Sequence, residues 1–95
     1  MINATADLFE SLIGQDIEIA AATGAEHWRV VSVKRGQAHA LRGDQPFNVY
    51  LTAPASNDRK QGMRSAQTPD GEAFEFFAVP LAASTDGVTY ELVFN

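Results

Sequence analysis

Period-two alternation of apolar and polar residues is the feature that most constrains how this chain can fold. It is clearest in QDIEIAA, where Ile17 and Ile19 alternate with carboxylates. The same alternation recurs in PFNVYLT at residues 46–52 and in GVTYELVFN at residues 87–95. Successive side chains of a β-strand point to opposite faces of its sheet, so each segment predicts a strand with one buried face.

The segment EHWRVVSVK has the β-branched composition of a strand but no single apolar face. Trp28 and Val30 point one way in an extended chain, whereas Val31 and Val33 point the other way. The sequence therefore predicts a strand here and leaves its inward face open.

The segment FEFFAVP is apolar on both faces. Phe74 and Phe76 face one side of an extended chain, and Phe77 and Val79 face the other. We expect a curved sheet or small barrel whose interior takes one face, with the N-terminal helix or a loop covering part of the other. Pro80 has no N–H to donate, so it is predicted to end the strand or to lie at an edge.

The connections between these segments favour antiparallel hairpins. TPDG at residues 68–71, TDG at residues 85–87 and ATGAE between the first two strands have the composition of tight turns. Residues 62–68, which lie between turn signals, are predicted as a further strand. No connection has the length of a crossover helix, so antiparallel pairing is expected throughout.

One helix is predicted, in TADLFESLIG near the N-terminus. Its apolar residues from Leu8 to Ile13 recur on one helical face, Thr5 is suited to cap the start, and Gly14 is suited to follow the end. The predicted fold class is mainly β (α+β), a single domain over residues 1–95. A short N-terminal helix packs on a five- to six-stranded antiparallel small barrel or sandwich.

Composition argues against several classes of function. The chain of 95 residues has a net charge of −5, which disfavours nucleic acid and anionic membranes, and it has no cysteine for disulfides or thiol chemistry. It shows no apolar run of membrane-spanning length, and MINATADLFESL does not resemble a signal peptide, so a cytoplasmic protein is expected. The basic cluster in DRKQGMR is interpreted as a solvated loop.

No catalytic, metal or cofactor site is predicted. His27 and His39 lack carboxylates at ligand spacing, and a triad of Ser56, His39 and Asp44 lacks the loop that would position its nucleophile.

A pair of carboxylates, Glu75 and Glu91, is the remaining candidate for acid–base chemistry if the two face each other across neighbouring strands. The favoured interpretation is an outward row of cross-strand charge pairs with Arg29, Lys34 or Arg64.

The order of LFESLIG, FNVYLTAP, KQGMRSAQTPDG, FFAVP and YELVFN over nearly the whole chain resembles a family of small bacterial domains of unknown function. The resemblance implies a compact β-rich domain. It also implies an association with gene neighbourhoods that include phage-tail-collar-like proteins, which points to an accessory or assembly role. Met63 stands where a larger aromatic residue looks usual, which we interpret as a change within the core.

The leading hypothesis is a non-catalytic domain that binds a protein partner or self-associates. Trp28, Tyr50 and Val93 have no evident place in the inner layer and are the predicted binding residues on an outer face or unpaired edge. The alternative is a small-ligand-binding barrel with Trp28, Tyr50 and Tyr90 in a cavity. A carboxylate-based enzyme is the third hypothesis. The remaining aromatic residues are predicted to form the core: Phe9, Phe47, Phe74, Phe76, Phe77, Tyr90 and Phe94.

Overall fold

The computed structural model describes residues 4–21, 24–36 and 47–94, with Val93 and Phe94 described by their backbone alone. This part of the chain contains one helix and six strands. His39, Asp44 and the side chain of Phe94, which entered the sequence predictions, lie outside the described residues. The elements are α1 (Ala6–Ser11), β1 (Asp16–Ala21), β2 (Gly24–Arg35), β3 (Phe47–Ala53), β4 (Gly62–Gln67), β5 (Ala73–Ser84) and β6 (Gly87–Phe94).

The six strands close into a small barrel in the order β1-β2-β3-β6-β5-β4, and every neighbouring pair is antiparallel. The predicted fold class is confirmed, as a barrel rather than a sandwich.

Two similar three-stranded meanders make up the barrel wall. β1-β2-β3 and β4-β5-β6 each consist of a short strand, a strand of 12 residues and a third strand of intermediate length. The pairing of β3 with β6 runs from Phe47↔Phe94 to Ala53↔Val88. The pairing of β1 with β4 is confined to Glu18↔Gln67 and Ile19↔Ala66. One seam of the barrel is therefore much shorter than the other.

A β-bulge resolves the ambiguous face of EHWRVVSVK. Val30 pairs with Leu51 and Ser32 pairs with Tyr50, so Val31 is an extra residue with no partner on β3. The extra residue returns Val33 to the same side as Val30, where it packs partly buried against the core, and Val31 itself is exposed.

A second bulge lies at the equivalent place in the other meander, where Pro80 pairs with Tyr90 and Ala82 with Thr89. Of the two alternatives predicted for Pro80, an end of the strand is wrong, because β5 continues to Ser84. A position at an edge is confirmed on one side, since the pairing of β5 with β4 ends at Ala78 and Pro80 lies beyond it, paired with Tyr90 of β6. A bulge tolerates proline since the ladder is already interrupted there.

Aromatic rings fill the barrel interior in a connected column. Phe9 contacts Phe74 at 5.7 Å, Phe74 contacts Phe76 at 5.7 Å, Phe76 contacts Trp28 at 6.2 Å, and Trp28 stacks on Tyr90 at 4.3 Å between ring centroids. These rings are fully or almost fully buried. The prediction that aromatic residues form the core is confirmed for Phe9, Phe74, Phe76 and Tyr90, whereas Trp28 was not expected there.

Two residues assigned to the core lie outside it. Phe77 is 41% exposed and Met63 is 64% exposed, so these two predictions are wrong. Phe74, Phe76 and Ala78 are the residues of β5 that point inward, so Phe77 points outward. Met63 is its partner on β4 and lies on the same outer face.

The helix α1 closes one end of the barrel. Thr5 caps it as predicted, accepting a hydrogen bond from the Leu8 N–H at 3.1 Å, and Phe9 inserts between Phe47 and Phe74. Arg35 at the end of β2 forms ion pairs with Asp7 and Glu10 of the helix. The hydrogen bond from Arg35 holds the pKa of the Glu10 carboxyl below its ordinary value.

The helix packs against β2 and β3 and not against the outer face of β5, where cover was expected.

The predicted turns bring the strands close together. In TPDG the Gly71 N–H donates to the Thr68 carbonyl at 2.8 Å. In TDG, Gly87 has φ +152°, and a Cβ there would lie 2.5 Å from the Ala53 carbonyl oxygen. A glycine is required at this point, since the backbones of β3 and β6 approach too closely for any side chain.

Replacing Phe9 with Ala tests the role of the helix as a plug. Because Phe9 is fully buried between two rings, we expect the free energy of unfolding to fall by about 3–5 kcal/mol. Urea unfolding followed by the fluorescence of the single tryptophan measures this. Ser11→Ala, on the exposed side of the same helix, is the control. A loss below about 1 kcal/mol for Phe9→Ala would contradict the packing described here.

Candidate interaction surface

Trp28, the first predicted binding residue, lies inside the barrel. Its exposed fraction is 0%, and its indole ring is nearly parallel to the Tyr90 ring, at an interplanar angle of 18°. The prediction that Trp28 lies outside the inner layer is wrong. Glu26, Trp28 and Val30 all have the inward parity of β2, and the bulge at Val31 removes the conflict that made this face ambiguous.

Tyr50, the second predicted binding residue, lies half-buried on β3. Its hydroxyl donates to the Glu91 carboxylate at 2.8 Å, and the Asn48 side-chain amide donates to the same oxygen at 2.9 Å. The hydrogen bond to Glu91 raises the pKa of the Tyr50 hydroxyl. Trp28 lies inside the barrel and Tyr50 on its outer side, so the two do not share one surface. The side chain of Val93, the third predicted residue, lies outside the described residues.

Arg64 lies at the end of the barrel opposite α1 and points inward. Its side chain is only 12% exposed, and its guanidinium carbon lies 5.3 Å from the Trp28 ring centre and 5.6 Å from the Tyr90 ring centre. Nη2 donates to the Asp58 carboxylate at 3.0 Å and to the Lys60 carbonyl at 2.8 Å. Arg64 was predicted as a member of an outward charge row, and that prediction is wrong.

The loop between β3 and β4 seals this end through Asn57, which is buried. Tyr90 donates its hydroxyl proton to the Asn57 side-chain oxygen. The Asn57 amide and the Trp28 indole N–H both donate to Glu26, at 2.7 Å and 2.9 Å. Within the described part of the chain, every buried side-chain polar atom has a hydrogen-bond partner. The network around Tyr90 is thus complete as a structural seal.

A Tyr90→Phe variant tests this seal through its pH dependence. Burial raises the pKa of the Tyr90 hydroxyl, so the folded state retains the proton more strongly than the unfolded chain does. The resulting stability is complete below about pH 10, the value of an unperturbed tyrosine, and is lost as the pH rises through the folded-state pKa. We expect the variant to be less stable by about 1–3 kcal/mol at neutral pH and to lose less stability in alkali.

Urea unfolding at a series of pH values between about 8 and 11 measures both effects. Tyr50→Phe measures the contribution of the other tyrosine separately, because the hydrogen bond to Glu91 also raises the pKa of the Tyr50 hydroxyl. Equal alkaline slopes for the wild type and Tyr90→Phe would contradict the assignment.

The outer face of β4 and β5 carries an exposed apolar pair. Met63 and Phe77 lie directly opposite each other in the antiparallel ladder. Val79, two residues after Phe77 on the same face, is partly buried. We call these three residues the Met63–Phe77 patch.

Charges of opposite sign flank the Met63–Phe77 patch along the strands. Glu75 lies opposite Ser65, two residues from the apolar pair, and accepts a hydrogen bond from the Ser65 hydroxyl at 3.3 Å. Arg59 and Lys60 lie in the loop just before β4, and both are exposed. Neither forms an ion pair with a residue in the described ranges.

Asp58, in the same loop, is already engaged. Hydrogen bonds from the Lys60 backbone N–H and from Arg64 hold the pKa of its carboxyl below the ordinary value.

The two carboxylates considered for acid–base chemistry do not face each other. Glu75 pairs with Ser65 of β4, and Glu91 pairs with Val79 of β5 and Tyr50 of β3. No group of three or more His, Asp or Glu side chains in the described ranges is placed to hold a metal ion.

Two grooves lie near β1, one against β4 and β5 and the other against β2 and the turn after β4. One, of about 230 Å³, is bounded by Glu18, Ser65 and Glu75, and the other, of about 280 Å³, by Asp16, Glu18 and His27. Pockets for drug-sized ligands start at about 300 Å³. Neither groove is lined by Trp28, Tyr50 or Tyr90, the residues of the small-ligand hypothesis.

The comparisons with known proteins support one part of the resemblance, a family of unknown function. No helix in the described part of the chain has the length and apolar character needed to cross a membrane. Neither the curated proteins nor the solved structures provided a match. The family described as "Domain of unknown function (DUF6916)" matches residues 4–94, and the chain belongs to that family.

Proposed function

We propose that this domain is a non-catalytic protein-interaction module and that it binds through the Met63–Phe77 patch. The observation that carries the proposal is the cross-strand pair itself: Phe77 and Met63 are 41% and 64% exposed, whereas the other described phenylalanines are buried. A large aromatic ring and a flexible thioether side by side on the outer face of the barrel wall form an anchor of the kind that interfaces favour.

The energetics of exposure support the same conclusion. Fully burying a Phe or Met side chain stabilises a protein by about 1.5–3 kcal/mol relative to leaving it in water. The barrel cannot recover this free energy, because the interior side of β5 is already occupied by Phe74, Phe76 and Ala78. A bound partner recovers it by covering the outer side.

The residues of the other hypotheses are engaged elsewhere. Trp28 and Tyr90 stack inside the barrel, and Glu91 accepts hydrogen bonds from Tyr50 and Asn48. These arrangements support a scaffold role for them, which leaves binding to the outer face. Bacterial origin, a cytoplasmic location and an accessory role in assembly remain parts of this proposal.

Site-specific photocrosslinking tests the proposed surface. With Phe77 replaced by p-benzoylphenylalanine, illumination of cells of the source organism is expected to give a covalent adduct with a protein, because the reactive ketone then lies at the centre of the contact. The same amino acid at Val31 is the control, since Val31 is 50% exposed on β2, away from the patch. Adduct formation from position 77 and not from position 31 supports the proposal. Equal labelling, or no protein adduct at position 77, would overturn it.

A further inference from the structure

We infer that the partner on the Met63–Phe77 patch is a second copy of this chain, docked face to face about a two-fold axis. This inference rests on the proposed function and names its partner. The patch has an apolar centre with positive charge on one side and negative charge on the other, so it is complementary to itself after a half-turn. Two-fold dimers are built from such self-complementary surfaces.

The positive side consists of Arg59 and Lys60, the exposed pair just before β4. The negative side consists of Glu75, opposite Ser65, and of Glu18, which borders the same groove as Glu75. Asp58 does not cancel the positive side, because its carboxylate is bound to Arg64 at 3.0 Å. Glu91, on the neighbouring strand, is held by Tyr50 and Asn48.

The spacing along β4 allows the two signs to meet. Extended chain rises about 3.3 Å per residue, so Glu75, in register with Ser65, lies about 7 Å along the strand from Met63. Lys60 precedes Met63 by three residues and thus lies at most about 10 Å away on the other side. The long lysine side chain spans the difference.

These spacings select the orientation of the axis. An axis in the plane of the interface, crossing β4 at right angles near Met63, places the two β4 strands antiparallel and each Lys60 opposite the other copy's Glu75. An axis parallel to β4 would instead place Lys60 against Lys60 and Glu75 against Glu75. Charge complementarity therefore favours the first arrangement, with Phe77 rings in contact at its centre.

A partner of a different sequence could supply whatever charges complement this surface, so the surface itself would not need both positive and negative groups. The presence of both, at similar distances from the apolar pair, therefore favours a second copy of the chain. Strands β4 and β5 form two of the six strands of the wall. A stable dimer needs about 800 Å² from each copy, roughly a tenth of the surface of a small protein. At about 3.3 Å per residue and about 4.8 Å between strands, the outer faces of β4 and β5 cover only about 300 Å², so the loop before β4 must add to the contact and a weak dimer is expected.

Charge reversal tests the inference. Sedimentation equilibrium of the full chain from micromolar to millimolar concentration is expected to show a monomer–dimer equilibrium. Lys60→Glu and Glu75→Lys are each expected to raise the dimer dissociation constant about tenfold or more, because each places like charges in contact at both symmetry-related sites. The double variant restores opposite charges across the interface, so its dissociation constant is expected to return to within about threefold of the wild type.

Matched controls are present in the same chain. Lys34→Glu on β2 and Asp86→Lys in the turn between β5 and β6 make the same charge changes at exposed positions away from the patch, and neither is expected to affect the dimer. Phe77→Ser removes the apolar centre and is expected to leave only monomer. Unchanged circular dichroism and tryptophan fluorescence verify that each variant is folded.

The outcomes separate this inference from the proposal on which it rests. A wild type that remains monomeric at millimolar concentration overturns the inference, and so does a double charge reversal that fails to restore the dimer. If crosslinking at position 77 then captures another protein, the proposed function is supported and its partner is a different chain. If it captures no protein, both fail.

Discussion

The stacking of aromatic rings inside the barrel is the interaction on which the other features of this domain depend. A closed wall of six strands encloses a small interior, and the column of rings from Phe9 through Phe74, Phe76 and Trp28 to Tyr90 occupies it. The rings prefer tilted, edge-on and offset contacts, which fit the taper of a small barrel. The two ends are closed differently: Phe9 inserts from a helix at one end, and a hydrogen-bonded group around Tyr90 completes the other.

Filling the interior in this way determines what remains for the outside. On β5 the alternation that directs Phe74 and Phe76 inward must direct Phe77 outward. The apolar residues on the two faces of this strand therefore need separate explanations. One face supports the fold, and the other presents Phe77 beside Met63. Under the proposed function, the residues that bind a partner are therefore separate from those that stabilise the fold, and changes on the outer face leave the ring column intact.

Most of the architecture could be predicted from the sequence because strands, turns and caps are local signals. β1, β3 and β6 followed from alternation, and the helix cap at Thr5 from the residue type. The bulges could not be predicted, because Val31 and Leu81 are ordinary strand residues whose extra position appears only when the partner strand is known. The misplacement of Trp28 followed from that gap. The inward direction of Arg64 was missed for a different reason: a guanidinium inside a barrel is acceptable only where aromatic faces and acceptors surround it, and these come from distant segments. The exposed pair could have been found by using the small residues Gly62, Ala66 and Ala78 to identify the inward positions of β4 and β5, which leaves Met63 and Phe77 on the outer face.

The short seam between β1 and β4 has a consequence for how the domain moves. Its ladder is limited to two residue pairs, far fewer than between β3 and β6, so it is the place where separating neighbouring strands breaks the least backbone hydrogen bonding. We expect transient opening to begin there, which would convert the closed barrel into an open, curved sheet with two unpaired edge strands while the meanders stay folded. Unpaired edge strands pair readily with strands of other chains. The β1–β4 seam that closes the barrel is thus also the place where we expect prolonged storage or mild heating to expose edge strands first. Exposed edge strands are where fibrillar aggregation would begin.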